Sequence, residues 1–472
     1  MPADDDLLRE TIFGETPPGP AQRNVRLLIE RNRRDPGLDG ATADARPIRS
    51  VGIVGAGMMG AAVAAVHVRG NVPVVLTDAD ESVLAGVPRQ IVAELAGEVP
   101  CDVPCDVPCD VPGGEGRRLV AEMVRTTADH AALGQCDLVI ESIVENLAAK
   151  QGLYAALQPH LGDETLLASN TSTIPIGRLA ARLARPERFC GIHFFHPVRR
   201  RPLVEIVRGP ATSDRTVATA VAHAKGLDKM PIVVDDGPGF LVNRLLLPYL
   251  GEAFELLLEG AAIETIERAA IDFGMAKGPL QLADEIGLDT VLQGGIVLRD
   301  AFADRIAPSP LLIGMLKARR LGCKSGAGFF RYADGPGQPG GQARTVDPIV
   351  GQMIGRWART PRRHTAGSVA ARLLLPMVLE ATRILAEGKV RDPRDIDLAV
   401  LFGLGFPAAR GGLLWWADTL GLRRILELLD SLDDLGLRAQ PTRFLEEMAR
   451  EDRRFYHTPS RATSEGPAGG PP

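Results

Sequence analysis

Cysteine is scarce in this chain, six in 472 residues, and the six follow no spacing that builds a disulfide framework. A reducing, cytoplasmic setting is the expectation that follows. No run of about 18 apolar residues occurs, so no membrane span is expected. The opening residues Met1-Pro2-Ala3-Asp4-Asp5-Asp6 are acidic and lack an apolar stretch, unlike a signal peptide. Positive charge is not in excess either: the formal net charge is −5. That excludes a nucleic-acid or membrane-surface partner held by charge. Lysine is sparse beside arginine, a composition bias that singles out each lysine present.

What the chain does have is apolar residues, 45% of the total. At this length they exceed one ordinary core, and two or three domains are expected. Residues 1–48 are polar and punctuated by Pro and Gly, and read as an N-terminal arm with one helix from Ala21 to Arg33. From Ser50 short apolar runs alternate with helical periods, the pattern of a parallel sheet with crossover helices. The strands expected are Ser50–Val54, Val72–Thr77, Leu138–Ile140, Leu166–Ser169, Phe189–Phe194, Leu203–Val207 and Pro231–Val234. Beyond Asp235 the strand signals stop, and Gly239 to Gly260 reads as one long amphipathic helix. The expected organisation is an α/β domain at 49–234, a helical domain at 235–332, a Gly- and Pro-rich linker at 333–364, a second helical domain at 365–455 and a disordered tail at 456–472.

The two helical blocks read as copies of one unit. Arg244-Leu245-Leu246-Leu247-Pro248 recurs as Arg372-Leu373-Leu374-Leu375-Pro376. In step with it, Glu252-Ala253 matches Glu380-Ala381 and Glu259-Gly260 matches Glu387-Gly388. With small insertions allowed, Gly274 pairs with Gly403, Pro279 with Pro407 and Asp284 with Asp418. Duplication implies a pseudo-two-fold pairing inside one chain, burying a face that a single-copy relative must bury by dimerising.

Four motifs carry chemistry. Gly55-Ala56-Gly57-Met58-Met59-Gly60 follows an apolar strand and opens a helix, as a dinucleotide fingerprint does. The next strand ends in Asp78, where an acid accepts hydrogen bonds from an adenosine ribose and repels a 2′-phosphate, which favours NAD over NADP. A Gly-rich turn without a ligand is the bland alternative. The second motif is Gly191-Ile192-His193-Phe194-Phe195-His196-Pro197, followed by Leu203-Val204-Glu205. Two strands joined by a short turn bring His193 opposite Glu205, and a carboxylate on one ring nitrogen prepares the other as a base. A core His beside a rim Glu has the same spacing. The third is Ser169-Asn170-Thr171-Ser172 at a strand end, where Ser172 suits either a reacting oxygen or a plain helix N-cap. The fourth places Asn243 in the first turn of a helix at the domain junction. Its counterpart in the second copy is Ala371, so the polar group stands only in the copy that follows the sheet.

In this order these residues, with Glu141-Ser142-Ile143-Val144-Glu145, Pro238-Gly239-Phe240, Gly278-Pro279, Gly287-Leu288-Asp289 and Lys324-Ser325-Gly326-Ala327-Gly328-Phe329, resemble the L-3-hydroxyacyl-CoA dehydrogenases. The second helical copy looks like the end of the alpha subunit of the bacterial fatty-acid oxidation complex, without a hydratase domain before Ser50. The resemblance implies a Rossmann-type NAD-binding domain followed by two related helical domains. It also implies an acyl-CoA substrate, a place in fatty-acid beta-oxidation or short-chain acyl-CoA metabolism, and a thiolase as a possible partner. By the same resemblance His193 is the general base and Glu205 its partner. Ser172 and Asn243 contact substrate, with Ser172 also touching the cofactor. Gly55, Gly57, Met58, Met59, Gly60, Asp78, Glu145, Lys150, His196 and Lys324 stand where the family meets NAD, and no metal is implied.

Two departures stand out. His196 stands where the family it resembles has a small polar residue near the nicotinamide. A repeat, Cys101-Asp102-Val103-Pro104 onward to Pro112, stands where the family has a basic segment that contacts CoA. Arg199, Arg200 and Arg201 are the candidate substitute for that segment. Two other functions are kept open: an NAD-dependent dehydrogenase of a non-CoA hydroxy acid, and a non-catalytic NAD-binding subunit.

Overall fold

The strands that follow Ser50 form one eight-stranded sheet in the order β3-β2-β1-β4-β5-β6-β7-β8. They are β1 Val51–Val54, β2 Val74–Thr77, β3 Val124–Thr127, β4 Leu138–Glu141, β5 Leu166–Ser169, β6 Phe189–Phe194, β7 Leu203–Arg208 and β8 Met230–Asp235. The computed structural model describes residues 12, 18–38, 44–97, 113–306, 308–332 and 344–456. Neighbouring strands are parallel except β6 and β7, which are antiparallel. Every residue of β1, β4, β5 and β6 is buried, which is why these strands read as unbroken apolar runs. β3 was not expected. It is an edge strand of Val-Arg-Thr-Thr with two exposed residues, so it carries no apolar signal.

After β8 the chain turns helical. The helices Val242–Leu258 and Ala366–Ala386 pack on each other and exchange buried ion pairs reciprocally. Arg244 meets Glu380 at 2.6 Å and Glu387 at 2.6 Å. Arg372 meets Glu252 at 2.7 Å and also pairs with Glu259. The repeated Arg and Glu residues are therefore one set of contacts made twice. Asp284 accepts the N–H groups of Phe329 and Phe330, and Asp418 accepts those of Phe455 and Tyr456. Other pairings shift. Glu267 holds the N–H of Leu280 just after Gly278, and Asp397 holds the N–H of Leu414 just after Gly412. Gly278 thus answers to Gly412, not Pro279 to Pro407. The left-handed helix cap at Gly274 answers to Gly405 rather than Gly403, because the second copy has a longer loop before the helix that starts at Pro393 and a π turn, Val400–Leu404, at that helix's end.

Three boundaries also differ. The segment read as a linker contains a strand, Arg344–Val346, paired antiparallel with Phe330–Tyr332, and a helix, Pro348–Gly355. Strands of three residues are too short to show a period. Its Gly- and Pro-rich part at 333–343 lies outside the described residues, as does the Cys-Asp-Val-Pro repeat. Tyr456, the first residue of the segment read as a tail, is held in place, its hydroxyl bonding Asp397 at 2.7 Å; the rest of that segment lies outside the described residues. The arm helix spans Pro18–Arg34 and is anchored at both ends. Asn24 bonds the Gly411 carbonyl at 2.8 Å, Asn32 bonds the Pro231 carbonyl of β8 at 2.7 Å, and Arg31 pairs with Asp392 at 2.9 Å. It ties the sheet edge to the second helical unit.

Candidate active site

The carboxyl ends of β1, β4, β5 and β6 point the same way, and the candidate residues gather there. At β1 the glycine loop turns into the helix Met58–Arg69. Gly55 has φ +104°, and a Cβ on it would stand 2.5 Å from the Ser142 carbonyl oxygen. A Cβ on Gly60 would stand 1.8 Å from the Gly55 carbonyl oxygen, so helix and strand can approach only with glycine there. A Cβ on Gly57 would meet nothing within 4 Å. That open space faces the helix start, where backbone N–H groups favour a pyrophosphate. The residues present fit NAD. Met58 lies open at 62% exposure on the first turn, with Met59 half-buried behind it. Asp78 follows the end of β2 and accepts the Ala56 N–H at 2.7 Å, bracing the glycine loop.

The dyad forms as the spacing dictates. His193 and Glu205 are direct partners in the β6–β7 ladder. His193 Nδ1 lies 2.6 Å from Glu205 Oε2, with Glu205 fully buried and His193 5% exposed. The second oxygen, Glu205 Oε1, accepts the N–H groups of Leu241 at 3.1 Å and Val242 at 2.8 Å, the start of the helix Val242–Leu258. The carboxylate thus caps the N-terminal end of that helix. Phe195 and Phe240 flank the imidazole, with ring centroids 4.4 Å and 6.0 Å away. Nδ1 is the ring atom bonded among the described residues, which leaves Nε2 to face a substrate.

Ser172 sits in a loop hung from Glu145. Glu145 Oε1 accepts the Thr171 hydroxyl at 2.6 Å and the N–H groups of Ser172 and Thr173 at 3.0 Å each. Burial opposes the charge of Glu145, but Lys150 and these donors outweigh it and hold its pKa below the usual carboxylate value. Asn243 Nδ2 donates to the Ser172 carbonyl at 2.9 Å. The structure thus brings Ser172, Asn243 and Glu145 together, and ties the loop after β5 to the long helix.

Four of the side chains singled out have protein partners. Lys150 is 1% exposed and gives its ammonium to Glu141 at 2.6 Å and Glu145 at 3.4 Å, so it holds Glu145 in place. Lys324 pairs with Asp289 at the start of the helix Leu288–Ala301, within the helical region. Arg199 is 8% exposed and turned inward to the Gly97 carbonyl at 3.1 Å, beside Glu94. It is not placed to hold a CoA phosphate. Arg201 reaches the Gly403 carbonyl at 3.4 Å. His196 is exposed just past β6. Partial burial of its ring and the charge of Arg201 lower its pKa, an effect that water at its open side weakens.

Residue-by-residue reading missed the groups that position the others. Glu141 is fully buried and takes Lys150, the Ile143 N–H, the Tyr154 hydroxyl and the Ser169 hydroxyl. Its signal was an acid closing the apolar strand Leu138-Val139-Ile140. Asn170 accepts the Phe194 N–H at 2.9 Å and so ties the loop to β6.

Comparison with known proteins agrees with this arrangement. The family model for the 3-hydroxyacyl-CoA dehydrogenase NAD-binding domain matches residues 50–237. The model for the 3-hydroxyacyl-CoA dehydrogenase C-terminal domain matches twice, at 239–332 and 367–461. A fatty acid oxidation complex subunit alpha from Pseudomonas savastanoi pv. phaseolicola is 34% identical over 92% of this chain, which spans 59% of that relative's length. The 3-hydroxybutyryl-CoA dehydrogenase of Escherichia coli superposes with a TM-score of 0.73 at 26% identity, over 86% of this chain and 99% of that one. The (S)-3-hydroxybutyryl-CoA dehydrogenase PaaH1 of Ralstonia eutropha gives 0.55 at 36% identity, over 61% of this chain and 100% of that one. Matched along both its sheet and its two helical units, the chain belongs to the 3-hydroxyacyl-CoA dehydrogenase family, and its first domain is an NAD-binding one.

Proposed function

We propose that the chain interconverts an L-3-hydroxyacyl-CoA and the 3-ketoacyl-CoA, with His193 as general base. The observation that carries this is the bond of 2.6 Å from His193 Nδ1 to a buried Glu205, at the strand ends that also carry the glycine loop. A neutral imidazole donating from Nδ1 keeps a lone pair on Nε2. Nε2 removes the 3-hydroxyl proton, the C3–H bond breaks with its electron pair, and a carbonyl forms at C3. NAD, when bound, supplies the acceptor for that hydride. Glu205 supports the imidazolium as it forms, and its second oxygen stays clamped by Leu241 and Val242. The Ser172 hydroxyl and the Asn243 amide are the groups assigned to polarise the reacting oxygen; Glu145 holds the Ser172 N–H, and Asn243 holds the Ser172 carbonyl. In the reverse direction the same residues return the proton.

The CoA-bound substrate class rests on the kinship above. Comparing acetoacetyl-CoA with acetoacetate as oxidants of NADH tests it: turnover of acetoacetate alone would overturn it. The reciprocal Arg–Glu contacts support an intrachain pseudo-dimer of the helical units. A thiolase partner and a cytoplasmic setting belong to the same proposal, since the bacterial relative is named as one subunit of a complex. Among the described residues no helix is long and apolar enough to cross a membrane.

A further inference from the structure

The second helical unit reaches back to the sheet where the dyad is held. Gly403 lies in the π turn Val400–Leu404, against Leu203 of β7 and Val242. A Cβ on Gly403 would stand 2.9 Å from Leu203 Cδ2 and 3.2 Å from Val242 Cγ2. Leu203 is two residues before Glu205 on the same strand, hence on the same face. Val242 supplies one of the two N–H groups that hold Glu205 Oε1. The Gly403 carbonyl also receives Arg201, in the turn that leads into β7.

A second contact secures the other end of the same segment. The Asp235 N–H donates to the Lys389 carbonyl at 2.9 Å, and Lys389 Nζ donates to the Asp236 carbonyl at 2.6 Å. The Asp236 carboxylate takes the N–H groups of Ile176 and Gly177 at 2.7 Å each, at the start of the short helix after the Ser172 loop. Between these contacts runs the link from β8 to the long helix. It holds Gly239 at φ +72° and Phe240 at φ +52°. A non-glycine residue at positive φ persists where its surroundings enforce it. Phe240 is 2% exposed and lies beside the His193 ring.

We infer that Gly403 and Lys389 are positioning residues of the active site: the second helical unit holds the segment that clamps Glu205, and through it aims His193. This rests on the dehydrogenase reading above. The unit then does more than cover an apolar face.

The test uses the full chain with Lys389→Ala, Lys389→Arg and Gly403→Val. The readouts are kcat and KM with acetoacetyl-CoA, the NADH dissociation constant, and hydrogen exchange at the Leu241 and Val242 amides. In Lys389→Ala and Gly403→Val, kcat falls about tenfold and those two amides exchange faster, as expected when a reacting group is misaimed. NADH affinity stays within about twofold, because the glycine loop lies on other strands. Lys389→Arg restores both kcat and exchange, since it returns a donor to the Asp236 carbonyl. Wild-type kcat and wild-type exchange at those amides in folded Lys389→Ala would overturn the inference. If Gly403→Val does not fold, Lys389→Ala decides. If the wild-type chain turns over no acyl-CoA, the reaction assignment fails, and exchange at the two amides still decides whether the second unit holds the clamp.

Discussion

The two nitrogens of His193 have different work. Nδ1 is committed to Glu205, and that bond selects the tautomer whose Nε2 can accept a proton. Glu205 is committed on both oxygens, one to His193 and one to two backbone N–H groups. Glu205→Gln should therefore lower kcat by about 10²–10⁴, the range of a disturbed general base, while NADH binding persists. Steady-state kinetics beside a fluorescence titration check this, and unchanged kcat would contradict it. At the other end of the crevice, Gly60→Ala places a methyl 1.8 Å from the Gly55 oxygen, so the helix must move off the strand. NADH affinity should fall at least about tenfold. Among single residues, those fixed by strand register were legible: the antiparallel ladder sets His193 opposite Glu205 once the turn length is known. Lys150 was not. Its direction depends on Glu141, whose partners come from loops and strands far apart in sequence.

Among the elements, the cofactor helix Met58–Arg69 is joined to the helix Asp214–Gly226 by two histidines. His67 Nε2 lies 3.0 Å from His223 Nε2, and His67 Nδ1 lies 2.7 Å from the Val63 carbonyl. His67 donates from Nδ1, so His223 must donate to His67, and both rings are neutral. Burial, helped by the charge of Lys229, pushes the His67 pKa down to about 4. Burial and His67 likewise push His223 down to about 3. The sign follows: the unfolded chain takes up these protons first as pH falls. Stability is full above about 6.5, the ordinary value, and is lost as pH falls from there toward the folded values. Between pH 7 and pH 5 the loss should be on the order of 4 kcal/mol, about 2 kcal/mol for each ring. His223→Gln keeps a donor for His67 and should remove part of that acid sensitivity, measured by urea unfolding at both pH values. An equal acid loss in the variant would contradict it. Strands buried on both faces were legible from their apolar runs. β3 and the Phe330–Tyr332 pair were not, since edge position and three-residue length leave no pattern to read.

At the scale of the molecule, the repeat is a set of reciprocal charges across one helix pair. Arg372 is buried between Glu252 and Glu259, as Arg244 is between Glu380 and Glu387. Removing one partner leaves buried charge behind, at a cost of about 3–5 kcal/mol. Arg372→Met should fall near about 3 kcal/mol, because Glu252 keeps Arg438 at 2.5 Å. Chemical denaturation checks it; a change below about 1 kcal/mol would contradict the weight given to this pair. The helical units themselves were legible as copies. Their exact correspondence was not, because a longer loop before Pro393 and then the π turn shift the glycine landmarks after Glu259.

The central claim is that His193 is the base. Wild-type and His193→Gln chains, assayed for NADH oxidation by acetoacetyl-CoA alongside NADH binding, address it most directly. The expected result for His193→Gln is a fall in kcat of at least about 10² with NADH affinity kept. Near-normal turnover by His193→Gln would contradict it.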